Sequence, residues 1–73
     1  MKYTVLIRAG NESGYVATVP ALPGCVSQGQ TRRQVLRNAK EAIEAYIQSL
    51  LEDGIPVPME AGAEMVDVEV SAR

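Results

Sequence analysis

The sequence predicts an α+β domain in the order β-β-β-α-β, with a four-stranded mixed sheet of order 3-2-1-4 and one long helix packed on one face. Three observations support this prediction. Residues 1–30 contain three short β-rich runs separated by turn-forming clusters. Residues 31–53 repeat apolar side chains every three or four positions, the period of an amphipathic helix. Residues 64–71 alternate apolar and polar side chains, the period of a strand.

The first three strands are predicted at Lys2–Arg8, Tyr15–Val19 and Cys25–Gln30. The cluster AGNESG after the first strand indicates a hairpin with a loop of about five or six residues. Before the third strand, Pro23 and Gly24 predict a type II turn, because proline fixes one torsion and glycine adopts the positive one. Three strands joined by short turns favour an antiparallel meander.

The helix is predicted at Thr31–Asp53, and the sequence defines both of its ends. Thr31 can act as the N-cap, and Gln34 lies at the capping-box spacing. Gly54 supplies the left-handed residue that ends a helix, and Pro56 prevents continuation. The apolar stripe is broad and comprises Val35, Leu36, Ala39, Ala42, Ile43, Tyr46, Ile47, Leu50 and Leu51.

The last strand is predicted at Glu64–Ser71, next to the first strand and parallel to it, with the helix as the crossover. One helix covers only one face of such a sheet, so the other face is open. Because this open face is half apolar, we expect it to contact a partner or a second copy. The sheet residues predicted to make these contacts are Leu6, Val16, Thr18, Val26 and Gln28.

Composition limits how so small a domain is stabilised. The 73 residues include one cysteine and no histidine, phenylalanine or tryptophan, which excludes an internal disulfide and a Cys/His zinc site. We therefore expect a homodimer or larger homo-oligomer. The third strand is the expected contact edge because residues 26–30 are uncharged, whereas the last strand carries the protective acids Glu64, Asp67 and Glu69.

The sequence contains no signal peptide pattern and no apolar run of about 18 residues. Together with the single cysteine, these features favour the cytoplasm as the location.

The net charge of −2 conceals a separation of charge along the chain. Residues 1–40 contain six basic groups and one acid, whereas residues 41–73 contain eight acids and one base. Within the helix this order opposes the macrodipole. Two interpretations stay open, a solvated face or a surface whose charges match a partner. On the second interpretation the helix residues predicted to contact the partner are Arg32, Arg33, Arg37 and Glu44.

Several short motifs, taken together, resemble the pattern of one known family. They are GYV at 14–16, VPALPGC at 19–25, Gly29 and Thr31, Asn38-Ala39, Glu41-Ala42-Ile43, and GIPVP at 54–58. Together these motifs, over residues 1–70, resemble the HicB-like antitoxin family. The LPGC turn and the GIPVP helix exit are the most specific pieces. The resemblance implies a partial ribonuclease H-like fold and a module that binds and masks a HicA-type toxin, a ribonuclease that cleaves mRNA.

The sequence differs from the family pattern in two respects. Family members often have Glu-Ala early in the helix, where this chain has Gln34-Val35. Full-length HicB antitoxins also continue into a domain that binds their own operator, and this chain ends at Arg73. We therefore expect a single HicB-like domain over residues 1–73, with no separate DNA-binding domain, and DNA binding by the chain alone is not expected.

No catalytic, metal-binding or cofactor-binding residue is predicted. Ribonuclease H chemistry requires clustered carboxylates, one of them on the first strand, and that strand has none. Cys25 has no histidine to activate it, so we interpret it as a partly buried structural residue. The glycines lack the spacing of a phosphate loop. The residues expected to have structural roles are Pro23, Gly24, Thr31, Gly54 and Pro56.

The expected function is that of an antitoxin-like protein-binding module without enzymatic activity. The alternative is a stand-alone regulatory or RNA-associated module that uses the basic start of the helix. Four basic groups without interleaved aromatic residues, in a net acidic chain, give the alternative less support.

Overall fold

The structure is a computed structural model that describes residues 1–60, 64 and 66–72. Its elements are β1 (Leu6–Ala9), β2 (Tyr15–Thr18), β3 (Val26–Gly29) and α1 (Arg32–Glu52). The strands form an antiparallel sheet of order β1-β2-β3, which confirms the predicted meander. The helix packs on one face of this sheet and contacts β2 and β3.

The strand register determines which side chains meet the helix. Ile7 lies opposite Ala17, and Ala17 lies opposite Ser27, so these three residues share one face. Ala17 packs with Val35 and Ala39 of α1 in a buried cluster. This inner face of the sheet forms the first half of the core.

The loop between β2 and β3 forms the second half of the core. Val19, Leu22 and Cys25 make a buried cluster against the middle of α1. Gly24 has a φ of 80°, and the Cys25 amide donates to the Leu22 carbonyl at 3.0 Å, which confirms the predicted type II turn. The Tyr46 hydroxyl donates to the carbonyl of Pro23 at 2.8 Å, so the turn is tied directly to the helix.

Both ends of the helix have the predicted caps. The Gln34 amide donates to the Thr31 hydroxyl at 3.0 Å, while the Gln34 side chain accepts from the amide of Gln30. At the other end Gly54 has a φ of 67° and donates to Leu51, and the Ile55 amide donates to the Leu50 carbonyl at 2.9 Å. These two bonds form a Schellman motif, after which Pro56 follows.

The first strand is shorter than predicted and begins at Leu6 instead of Lys2. Leu6 pairs with Thr18, so the partner of Thr4 in the same register would be Pro20. Proline has no amide hydrogen to donate to a strand ladder. The pairing with β2 therefore ends at Leu6, and residues 2–5 lie outside the ladder.

The predicted fourth strand, and with it the sheet order 3-2-1-4, is wrong. The described part of the chain forms three strands, and neither Glu64 nor residues 66–72 belong to a strand. The predicted strand includes Met65 and directly follows residues 61–63. These four residues lie outside the part of the chain that the structure describes. A segment with an alternating sequence forms a strand only when it pairs with another strand, and the alternation does not determine which strand that is.

The chain after the helix nevertheless returns to the start of the sheet. The Tyr3 hydroxyl donates to the Pro58 carbonyl at 2.7 Å. The amide and hydroxyl of Thr4 both donate to the carboxylate of Glu60, the hydroxyl at 2.9 Å. Two of these three bonds involve the Glu60 side chain, so they fix the position of the chain without forming a backbone ladder.

Candidate protein-binding surface

The face of the sheet that points away from α1 carries the predicted sheet contacts. Two cross-strand rows build this outer face, Leu6–Thr18–Val26 and Arg8–Val16–Gln28. All five sheet residues predicted as contacts therefore lie on one surface. Leu6 is 44% exposed and Val26 is 57% exposed, and Arg8 is the one charged side chain in the two rows.

The predicted contacts on the helix are separate from this surface. Arg32, Arg33 and Arg37 are exposed in the first half of α1, in the other layer of the molecule. Arg33 and Arg37 line a cavity of about 300 Å³ with Gln30, Thr31 and Gln34. The nine predicted contacts therefore do not form one site, because the sheet lies between the outer face and the arginines.

Glu44, a predicted contact, lies on a third surface that was not predicted from the sequence. It lies beside an apolar groove of about 400 Å³ between the helix and the chain before β1. The residues lining this groove are Met1, Tyr3, Val5, Leu36, Lys40, Ile43, Glu44 and Ile47. The width of the apolar stripe on the helix could have predicted this surface, because the stripe is wider than the helix surface that a three-stranded sheet covers.

A polar cavity lies at the hairpin end of the molecule. It measures about 630 Å³ and is lined by the β1–β2 loop, the end of β3 and the start of α1. The Asn38 side chain, which also lines it, donates to the Gln28 carbonyl at 2.8 Å. This bond occupies one acceptor of β3, the strand predicted as the oligomer edge. One hydrogen-bond acceptor on this edge of β3 is therefore already used within the chain.

The chemistry of the described residues is that of binding surfaces. Cys25 is buried, and burial raises the pKa of its thiol above the ordinary value, which disfavours the reactive thiolate. Within residues 1–60, 64 and 66–72, no three histidine, cysteine, aspartate or glutamate side chains are grouped to hold a metal ion. In the same part of the chain, α1 is too polar to cross a membrane.

Fold and surfaces together define a small α+β module with an exposed, nearly uncharged sheet face. Residues 3–71 match the family described as the HicB-like antitoxin of the bacterial toxin–antitoxin system. A UPF0150 protein of Thermoplasma acidophilum is 48% identical over 65 residues, which is 89% of this chain and 94% of the relative. The chain therefore belongs to the HicB-like antitoxin family, as the sequence motifs predicted.

Longer relatives and a solved structure give further comparisons. The chain is 34% identical to Antitoxin HicB 1 of Photorhabdus laumondii over 97% of its own length, and spans about half of that relative, 47%. A chain of the solved HicA3 and HicB3 toxin–antitoxin complex is 30% identical and superposes with a TM-score of 0.67. That match covers 77% of this chain and 64% of the other.

Proposed function

We propose that this protein neutralises a HicA-type toxin by binding it and masking its active surface. The observation that carries the proposal is the likeness to a chain of the HicA3 and HicB3 complex, at 30% identity and a TM-score of 0.67. Membership of the antitoxin family over residues 3–71 supports the same conclusion. In this function the protein acts by occupying the toxin, with no reaction of its own.

We assign the toxin contact to the outer face of the sheet. Leu6, Val16 and Val26 expose apolar surface there, with Thr18 and Gln28 available for hydrogen bonds. Apolar side chains in the centre of an interface contribute most of its affinity, and charges at its rim contribute more to the association rate. Arg8 lies at the edge of the face and is suited to such a rim position.

The test is co-expression with a HicA-type toxin, with growth rescue and complex formation as the readouts. Val26→Lys places a charge in the outer face and should abolish rescue and weaken the complex by at least about tenfold, since one buried anchor can contribute about 2 kcal/mol. Leu51→Lys is the matched control, because Leu51 is 60% exposed on the helix, and Val26 is 57% exposed on the sheet.

Three outcomes test the antitoxin function and the assigned contact face separately. Loss of rescue with Val26→Lys alone supports both the function and the assigned face. Equal loss with Leu51→Lys, in variants that keep their helical circular dichroism, would refute the face. A toxin that kills cells equally with and without the wild-type protein, and forms no complex in moderate salt, would refute the antitoxin function.

The alternative function, an RNA-associated or regulatory module, would depend on the arginines of α1. Arg33 and Arg37 share one cavity, which could hold a phosphate group, but the adjoining side chains are amides and a hydroxyl without an aromatic stacking surface. Measurement of RNA binding by Arg33→Gln and wild-type protein separates this alternative from toxin binding.

A further inference from the structure

Strand β3 forms an edge of the sheet, and its hydrogen-bond pattern shows which backbone groups point outward. The Val19 amide donates to the Cys25 carbonyl, which continues the β2–β3 ladder by one bonded position. Because bonded and non-bonded pairs alternate in an antiparallel ladder, Val26 and Gln28 direct their amides and carbonyls away from β2. In the described part of the chain no strand pairs with this edge.

Helix α1 caps only the second half of this edge. The Asn38 side chain donates to the Gln28 carbonyl at 2.8 Å, and the Gln34 side chain accepts from the Gln30 amide at 2.6 Å. These two side chains take the places of backbone groups in a neighbouring strand. Within residues 1–60, 64 and 66–72, no such partner bonds the amide and carbonyl of Val26 or the amide of Gln28.

The open half of the edge also lacks the features that usually prevent strand pairing. Residues 25–30 contain no charged side chain and no proline. Val26 is 57% exposed, more than Leu6 at the other end of the same cross-strand row, which is 44% exposed. An uncharged edge with outward backbone groups is a template to which an extended segment of another chain can add.

The direction of α1 places one flank of the helix beside this open half. Val35 lies next to Gly29 at the end of β3, whereas the Tyr46 hydroxyl donates to the carbonyl of Pro23, which precedes β3. The helix therefore runs antiparallel to β3. It passes from the capped half of the edge to the open half.

Two residues on this flank of α1 determine which side chains a neighbouring strand can carry. Glu41 and Ala45 follow Asn38 by three and seven positions, so they lie on the same side of the helix, and both are exposed. Ala45 leaves room for a strand beside β3 because its side chain is a single methyl group. Glu41 favours a basic side chain in the segment that lies there.

We propose that an extended segment of the HicA-type toxin pairs with the β3 edge at Val26 and Gln28, an inference that rests on the proposed function. The residue of the segment opposite Val26 is apolar and continues the outer face, and its neighbours point to the α1 flank, where a basic side chain meets Glu41. The toxin is favoured as the occupant because Val26 belongs both to this edge and to the outer face assigned to toxin contact. Edge and face then form one continuous interface.

The β3 strand of a second copy fits this edge less well. In a symmetric antiparallel pair centred on Val26, Gln28 of one copy would lie opposite Gly24 of the other. Gly24 has a φ of 80° in its turn, which is outside strand geometry. A pair centred on Gln28 would compete with the Asn38 side chain for the Gln28 carbonyl. The edge therefore favours a strand from another protein.

A proline variant tests the backbone pairing. Gln28→Pro removes an outward amide without disturbing the β2–β3 ladder, and proline is tolerated in an edge strand where the amide faces solvent. It should weaken the complex with a HicA-type toxin at least about fivefold relative to Gln28→Ala, which removes the same side chain but keeps the amide. Ala9→Pro makes the matched change at an outward position of the β1 edge and should leave the affinity unchanged.

Amide hydrogen exchange of the wild-type protein gives a second measurement, which does not depend on the folding of a variant. The amides of Val26 and Gln28 should exchange rapidly in the free protein and become protected in the complex with the toxin. The outward amides of Ile7 and Ala9 on the β1 edge should exchange at the same rate in both states. Protection of Val26 and Gln28 in the free protein at high concentration would assign the edge to a second copy and overturn the proposal.

The outcomes separate this pairing from the proposed function. Equal affinity of Gln28→Pro and Gln28→Ala, with Val26 and Gln28 amides that still exchange rapidly in the complex, would overturn the pairing and leave the antitoxin function intact. A wild-type protein that forms no complex with the toxin would refute the antitoxin function itself, and the pairing with it.

Discussion

Single residues fix the distance between the sheet and the helix. Gly29 ends β3 where the chain turns into α1, and a Cβ at this position would lie 2.7 Å from the Val35 amide nitrogen and 2.9 Å from its Cα. Both neighbours are backbone atoms, which cannot rotate away as a side chain can. Glycine at this position therefore permits the close approach on which the Ala17, Val35 and Ala39 cluster depends.

Gly29→Ala is expected to destabilise the protein by about 1–3 kcal/mol, because the added methyl group forces β3 and α1 apart. Gly54→Ala is the comparison, since its Cβ meets no atom within 4 Å and only the φ of 67° is unfavourable. That substitution should cost about 1 kcal/mol. Urea unfolding followed by circular dichroism measures both. A Gly29 variant more stable than the Gly54 variant would contradict the close-approach argument.

At the scale of elements, the helix was predictable because its determinants are local. Thr31, Gln34 and Gly54 act through hydrogen bonds or torsions within a few residues, and the structure confirms each role. The ends of the strands depend on pairing between distant residues. β1 is short because its register, if continued, would bring Pro20 opposite Thr4, and this can be seen only once the register of β1 and β2 is known.

The cap of the helix provides the prediction at this scale. Thr31→Ala removes the acceptor for the Gln34 amide and should cost about 1 kcal/mol of the free energy of unfolding. Thr31→Ser keeps the hydroxyl and should restore most of that loss, which separates the hydrogen bond from other effects of the position. Thermal unfolding of the three proteins measures the difference, and equal losses for alanine and serine would assign the effect to the methyl group of threonine.

At the scale of the whole molecule, the sequence predicted which sheet residues share a face but not how the surfaces combine. Alternation along each strand places Leu6, Val16 and Val26 together, and the register confirms it. The arginines were predicted as contacts from the charge pattern of the helix, and the two-layer architecture places them away from this face. The groove beside β1 was missed because the predicted fourth strand was expected at that edge.

The separation of charge along the chain predicts an effect on the rate of association with a toxin, and the fold shows which residues can test it. Glu52 lies in the last turn of α1, and Glu12 lies in the hairpin loop that shares a cavity with Gln30 and Gln34 near the start of α1. Glu52 therefore lies at one end of α1, and Glu12 lies in a loop near the other end of this helix of 21 residues, which is about 30 Å long at about 1.5 Å per residue. Glu52 belongs to the acidic half of the chain and Glu12 to the basic half.

If the acidic half steers a basic toxin, Glu52→Lys should lower the association rate severalfold and flatten its dependence on salt, since a complete set of steering charges changes such rates by about 10- to 1000-fold. The dissociation rate should change little, because Glu52 is exposed on the helix, away from the assigned outer face, and contributes little to the bound state. Glu12→Lys changes the net charge equally at the other end and should have a smaller effect. Stopped-flow or surface-binding kinetics at two salt concentrations measure both variants. Equal reductions would mean that the toxin responds to net charge alone, and an unchanged rate for both would mean that the eight acids after residue 40 serve solubility instead of recognition.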